Sequence, residues 1–271
     1  MSEWKFARVN TIDADRWDAC VAARDGEVFS EYWYWDAVCS SWQAWVKGDY
    51  EDVMAIPTER KWGFIPLMRT PLYVKWIEGN EGQLNSCIRN FFGFKRIHTR
   101  FETTQAFARA VQILDLSPQW VPSKELAKNV RKAERENPEL VTSVNWEDFQ
   151  GFMQKFHPYV WPSVQQQRMH ALFDAARQRG CGHIAGVKMN GQWAAMQFYV
   201  MRRGKAYLIQ NAVSKNLRIH EPMAYLLHAL FREWQLKQDF TRVNFMGSTN
   251  TGVARFNEKF GAETTYYYES R

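Results

Sequence analysis

Met223, Leu226, Leu227, Leu230, Phe231 and Trp234 recur at i, i+3, i+4, i+7, i+8 and i+11, the spacing of one face of a helix. Pro222 stands just before them, where a first helical turn tolerates a residue without an N–H. So apolar a stripe needs a flat partner, and the residues ahead of it supply one. Residues 183–189 read as a short apolar strand closing on Asn190-Gly191, a dipeptide whose tolerance of positive φ suits a two-residue hairpin turn. In 193–201, Ala194, Met196, Phe198 and Val200 alternate with Gln197 and Tyr199, so the second face is the one expected to meet a ligand. Arg202-Arg203-Gly204-Lys205 then makes a polar turn into a third strand over 206–213, with Gln210 and Asn211 near its end. The pattern is an antiparallel meander of three strands followed by a helix that packs on it.

Beyond that helix, 242–246 reads as a strand and Gly247-Ser248 breaks it. Asn250 or Thr251 caps a short helix carrying Val253, Phe256 and Phe260, Gly261 stops it, and 264–269 closes as an aromatic strand. Two helices are expected upstream, near 124–136 and 166–179. The N-terminal half repeats the order more faintly, with strands at 53–56, 64–68 and 72–77, a turn at 59–63, a helix at 83–92 and strands at 96–101 and 111–116. The expected fold class is therefore α/β (α+β), as two tandem units, each a mixed, mostly antiparallel sheet flanked by helices. Ser117-Pro118 and Val121-Pro122-Ser123 mark the expected division, giving units 1–117 and 118–271.

Charge and cysteine usage narrow the partners. A formal net charge of +6 favours an anionic partner and leaves nucleotide, phosphate and nucleic acid open. The aromatic share of 15% points to broad aromatic packing or a stacking groove. Cys20, Cys39, Cys87 and Cys181 form no CxxC pair, so no zinc knuckle or disulfide framework is expected and a reducing compartment is the simple reading. Glu3, Lys5 and Arg8 interrupt the N-terminus where a signal peptide is apolar, and no stretch approaches the ~20 apolar residues of a membrane span. A cytoplasmic location is the expectation. The phosphate-loop, zinc-protease, nucleophile-elbow and dinucleotide signatures are absent, and His157 and His170 lack partners at metal spacing, so no metal is expected.

One constellation is more specific. Phe245-Met246-Gly247-Ser248 is followed by Gly252-Val253, Arg255-Phe256, Lys259-Phe260-Gly261-Ala262-Glu263 and the Tyr266 to Tyr268 strand. It resembles the closing signature of FemAB-like acyltransferases, the tandem branch of the GNAT superfamily. Ser123-Lys124 through Val130-Arg131-Lys132-Ala133 looks like the basic helix ahead of that family's second unit, and Ala55-Ile56-Pro57 with Pro71-Leu72-Tyr73 looks like its first sheet. The resemblance implies a degenerate GNAT-like unit over 1–117 and a donor-binding GNAT-like unit over 118–271. It implies an N-acyltransferase that moves an acetyl or acyl group from acetyl-CoA or another acyl-CoA to an amine. A Fem-like transfer from aminoacyl-tRNA to a cell-wall precursor is the alternative, and a non-catalytic ligand or nucleic-acid binding module on the same fold is another. GNAT enzymes carry glycines in the turn before the long helix; Ser214-Lys215-Asn216-Leu217-Arg218-Ile219-His220 has none, which leaves Lys215, Arg218 and the helix N-terminus to meet donor phosphates.

On these grounds the donor-binding candidates are Asn211, Ala212, Val213, Lys215, Arg218, Ser248 and Asn250. Glu221 or His220 would accept the proton, and Tyr267 would be a general acid. Gln197, Tyr199 and Gln210 would line the acceptor side. Each has a structural reading beside the chemical one: His220 as a loop histidine, Glu221 as charge favouring a helix N-terminus, and Tyr267 as core of the closing strand. Lys124, Lys128, Arg131, Lys132 and Arg135 read first as a solvated helix face and second as an anionic docking site.

Overall fold

Local chemistry sets where elements begin and end in the computed structural model, which describes residues 2–61, 64–102, 106–158, 163–238, 240–247 and 250–270. In chain order they are β1 (Trp4–Ala7), α1 (Ala14–Ala23), α2 (Tyr32–Val38), β2 (Trp42–Lys47), β3 (Asp52–Pro57), β4 (Glu59–Lys61) and β5 (Ile65–Arg69). Next come α3 (Glu81–Asn90), β6 (Phe94–Thr99), β7 (Phe107–Asp115), α4 (Lys124–Glu134), β8 (Glu139–Val141), α5 (Trp146–Phe156) and α6 (Ser163–Gln178). The chain ends with β9 (Gly182–Met189), β10 (Gln192–Arg202), β11 (Lys205–Val213), α7 (Pro222–Lys237), β12 (Arg242–Asn244), α8 (Thr251–Glu258) and β13 (Glu263–Ser270). Side-chain oxygens of Asp13, Asn80, Ser123, Asn145 and Asn250 accept from the first N–H groups of α1, α3, α4, α5 and α8, which have no partner inside the helix. Asn190-Gly191 at φ 52° and 73° and Arg203-Gly204 at 49° and 69° take the two left-handed positions that tight hairpins need.

The chain forms two compact units, residues 1–110 with 266–271, and residues 111–265. In the first, β1, β2 and β3 make an antiparallel sheet. β4 pairs antiparallel with β5, β5 parallel with β6, and residues 268–270 of β13 antiparallel with β6. The core is aromatic: Trp17 meets Trp42 edge-on at 5.5 Å and Phe29 meets Trp76 at 5.0 Å. The aromatic excess thus goes in large part into packing. Two expectations fail in this unit. Residues 59–61, expected within a turn, pair as β4. Residues 72–77, expected as a strand, are irregular, because Tyr73, Val74, Trp76 and Ile77 are all buried and no alternation survives; only Ile77 bridges to β6, at Thr99.

The second unit holds strands in the order β7-β12-β11-β10-β9-β8, with β12 parallel to β11 and antiparallel to β7. The meander and α7 fall where the sequence places them. Leu226, Leu230, Phe231 and Trp234 of α7 pack with Leu126 and Val130 of α4 over Ala185, Val187, Tyr199, Leu208 and Val243 of the sheet. On the opposite face Phe149 of α5 and Phe173 of α6 meet Phe198 edge-on, at 6.4 and 5.6 Å. Residues 117–120, within the stretch expected to divide the chain, are held down by Gln235 of α7, whose buried amide donates to the carbonyls of Ser117, Pro118 and Trp120.

Candidate functional site

The ladder between β11 and β12 is short. It pairs Lys205, Ala206 and Tyr207 with Arg242, Val243 and Asn244, and β11 then runs on to Val213 paired only with β10 among the described residues. Between those two stretches the β10–β11 register jumps from Tyr199↔Leu208 to Phe198↔Gln210, so Ile209 is an extra residue, a β-bulge that bends β11 where it leaves β12. The free-running stretch ends at Ser214, whose N–H bonds to Ala194 O at 2.9 Å, and the chain turns through a short 3-10 helix, Arg218–His220, into α7. Glu221 makes the last bend in the left-handed region, at φ 59°, and Pro222 opens α7.

Asn211, Ala212 and Val213 lie opposite Gln197, Met196 and Ala195 of β10, with Asn211 exposed and Ala212 buried. Lys215 and Arg218 are exposed on the turn, and the Lys215 charge, after burial, helps lower the pKa of His157. His220 Nδ1 lies 2.9 Å from Glu136 Oε1, just past the end of α4. That contact assigns the Nδ1 proton toward the carboxylate and leaves Nε2 as the basic nitrogen. Glu221 makes no side-chain cap; its carbonyl accepts from Tyr225 N–H at 3.2 Å. Asn250 caps α8 through Gly252 and Val253 N–H, and Ser248 lies outside the described residues.

The acceptor-side candidates lie deeper than expected. Gln197 is fully buried, its amide donating to Phe198 O at 2.7 Å and Gln210 O at 3.1 Å. Tyr199 is core: it stacks on His183 and packs on Trp234 at 5.2 Å, and burial, aided by the Glu233 charge, raises its phenol pKa well above the usual value. The expectation of an open second face on β10 therefore fails, because helices cover both faces of this strand. Gln210 is half-buried, with its amide 3.4 Å from Asn211 O.

Tyr267 belongs to the first unit, apart from the other candidates. There its ring packs on His98 at 5.1 Å and on Trp76 at 6.2 Å, and burial raises its pKa. Beside it, the buried Glu269 carboxylate accepts from Arg109 Nη2 at 2.8 Å and Nε at 3.1 Å and from Arg96 Nη2 at 3.3 Å. His98 Nε2 stands 3.6 Å from Glu269 Oε2. Burial pulls His98 down to about 4 against the pull of Glu269, with Lys75 and Arg96 adding to the fall, and burial pulls Lys75 to about 8.

Sequence reasoning missed a set of amides under the splay. Asn244, the last residue of β12, is buried; its Oδ1 accepts from Met246 N–H at 2.8 Å and its Nδ2 is buried with no hydrogen-bond partner among the described residues. Gln112 of β7 is buried too, donating to Ala254 O and accepting from Asn257 Nδ2 at 2.9 Å. An amide flanked by apolar residues on both sides, in Val111-Gln112-Ile113 and in Val243-Asn244-Phe245, is the signal that points to them.

Residues 123–257 match the family model described as an acetyltransferase (GNAT) domain. Among solved structures the chain is similar to FemX, at 11% identity over 97% of this chain and 96% of that one, with a TM-score of 0.67. A tandem GNAT protein from the clavulanic acid biosynthesis pathway is similar at 13% identity over 99% and 98%, with a TM-score of 0.60. So is the C-terminal domain of a putative lysylphosphatidylglycerol synthetase from Agrobacterium fabrum, at 10% identity over 95% and 90%, with a TM-score of 0.60. At such identities the likeness is one of fold. No curated protein matches the chain significantly.

Proposed function

From the GNAT acyltransferase domain that this chain carries over residues 123–257, within a tandem, FemAB-like fold, we propose that it moves an acetyl or other acyl group from an acyl-CoA to an amine. The observation that carries the reading is the splay: β11 outruns β12 from residue 208 to residue 213 and leads into the N-terminus of α7. An acyl-pantetheine arm has amides of its own and fits an open strand edge as an added strand would. Its phosphates then meet the positive end of α7, with Lys215 and Arg218 supplying the charge that glycine-bared N–H groups supply elsewhere.

The chemistry needs a neutral amine to attack the thioester carbonyl, a C–N bond to form as the C–S bond breaks, and the departing thiolate to gain a proton. Backbone N–H groups along Asn211 to Val213 would hold the charge developing on the carbonyl oxygen. His220 Nε2, oriented through Nδ1 by Glu136, is the first candidate to take the ammonium proton, with Glu221 the second. Gln210 and Asn250 remain candidates at the edges of the site. Gln197 and Tyr199 act by holding β10 against β11 and α7 rather than by touching substrate. A reducing, cytoplasmic setting suits four cysteines present as thiols, and among the described residues no helix is long and apolar enough to cross a membrane.

The glycine-free turn supports a second reading, in which the donor is an aminoacyl-tRNA. Thermal melting separates the two. Acetyl-CoA at about 100 times its Kd should stabilise the native state by about 2.7 kcal/mol, and Lys215→Ala with Arg218→Ala should remove most of that shift. A shift with aminoacyl-tRNA and none with any acyl-CoA would replace the first reading by the second. Stabilisation by acetyl-CoA that survives the double substitution would refute the role given to those two cations.

A further inference from the structure

Two stretches of the first unit contain no acidic residue: 60–77, with Arg60, Lys61, Arg69 and Lys75, and 82–101, with Arg89, Lys95, Arg96 and Arg100. The parallel pairing of β5 with β6 brings them side by side, Leu67 against Phe94 and Arg69 against Arg96. Their approach continues ahead of the ladder, since a Cβ on Gly93 would collide with Pro66 O. Phe64 precedes β5 and Phe92 precedes β6, so the pairing sets both rings at the same end of the two strands. Phe64 is 71% exposed, Phe92 90% and Phe94 56%. Arg60, opposite Pro66 on the β4–β5 ladder, and Arg89, three residues before Phe92, are exposed near them, whereas Arg69 closes the far end of β5. Three of the other cations are engaged within the unit, Lys95 with Ile88 O, Arg96 with Glu269 and Arg100 over the Trp76 ring, and burial lowers the pKa of Lys75.

Large aromatic side chains grouped in water mark an interaction surface. What covers this one is read from its charge. A protein partner of ordinary composition would meet both signs, whereas these stretches offer cations alone. We propose that this end of the first unit docks on an anionic lipid bilayer: Phe64 and Phe92 enter the boundary between headgroups and acyl chains, and Arg60 and Arg89 pair with lipid phosphates. Single-stranded nucleic acid, the other polyanion, is bound on rings tiled along a groove or sheet face. Here the two most exposed rings sit at strand ends, where they can enter a bilayer together. The attachment is peripheral.

Co-sedimentation of the full chain with vesicles tests this. Phosphatidylcholine vesicles containing phosphatidylglycerol should bind about tenfold more protein than phosphatidylcholine alone, and the preference should fade at about 0.5 M salt as the charges are screened. Phe64→Ser with Phe92→Ser should lower binding about tenfold, with melting temperature and circular dichroism unchanged. Arg60→Ala and Arg89→Ala together should abolish the preference for phosphatidylglycerol. If the double variant loses its fold, Phe92→Asp alone, at the most exposed ring, gives the same reading. Equal binding to both vesicles, or undiminished binding by the phenylalanine variants, overturns the proposal. So does binding of bulk tRNA that the arginine variant loses while vesicles bind neither protein, which would reassign the surface to nucleic acid.

Discussion

The two units bury comparable chemistry in different ways. In the second, aliphatic and aromatic residues repeat at helix and strand periods, and α4 and α7 lie over the meander in one continuous core. In the first, short elements are locked by individual groups: Trp17 Nε1–H donates to Ser30 O at 2.9 Å, Tyr34 O–H donates to Tyr73 O at 2.8 Å, and Glu269 is clasped by Arg96 and Arg109. A periodic core gathers its stability in large side chains that each touch several neighbours. A core of single partnerships depends on each, and on the protonation state of those that titrate.

The largest test of that contrast is Phe231→Ala. This ring is fully buried and touches Trp120, Trp234, Phe245 and Phe260, so chemical denaturation should show a loss of about 4 kcal/mol. A loss below about 1 kcal/mol would mean that the shared core can collapse around the gap.

Acid should expose the first unit. His98 has a folded pKa of about 4 against 6.5 for the free side chain, so as pH falls the unfolded chain takes up the proton first. The stability tied to its neutral form is complete above about pH 6.5 and drains away as pH falls toward 4, by up to about 3 kcal/mol. His98→Gln, read by denaturation at pH 7 and pH 4.5, should flatten that slope. An unchanged slope would trace acid sensitivity to other groups.

The smallest effect probes the caps. Asn250→Ala removes the acceptor for Gly252 and Val253 N–H and should cost about 1 kcal/mol in global stability. Turnover that falls far more than this predicts would indicate that Asn250 also touches substrate.

The same contrast explains what could be read before the structure. The meander and α7 were legible because Asn190-Gly191 and the stripe from Met223 to Trp234 each have one conformational solution. The first unit was fainter: α1, α2 and β2 draw their stability from Trp and Tyr pairs far apart in sequence, which no period reports. Within the site, the charged turn residues and the strand end at Asn211 to Val213 were visible. The bulge was not, because Leu208 and Ile209 are both apolar and the pattern does not say which is extra. Nor was the cover on both faces of β10, since alternation shows two faces without saying what lies over either. The pairing of Glu136 with His220 depends on where α4 comes to rest, which is a property of the packed unit.

The extra residue at Ile209 divides β11 into two segments that answer to different masters. Before it, Ala206 and Leu208 keep the in-and-out rhythm that suits the hydrophobic interior. After it, the rhythm restarts half a beat out of step, so Gln210 comes opposite Phe198, on the face that α5 and α6 cover, and Asn211 is exposed. Polar residues can therefore stand at 210 and 211 while Ala212 and Val213 return the strand to the interior.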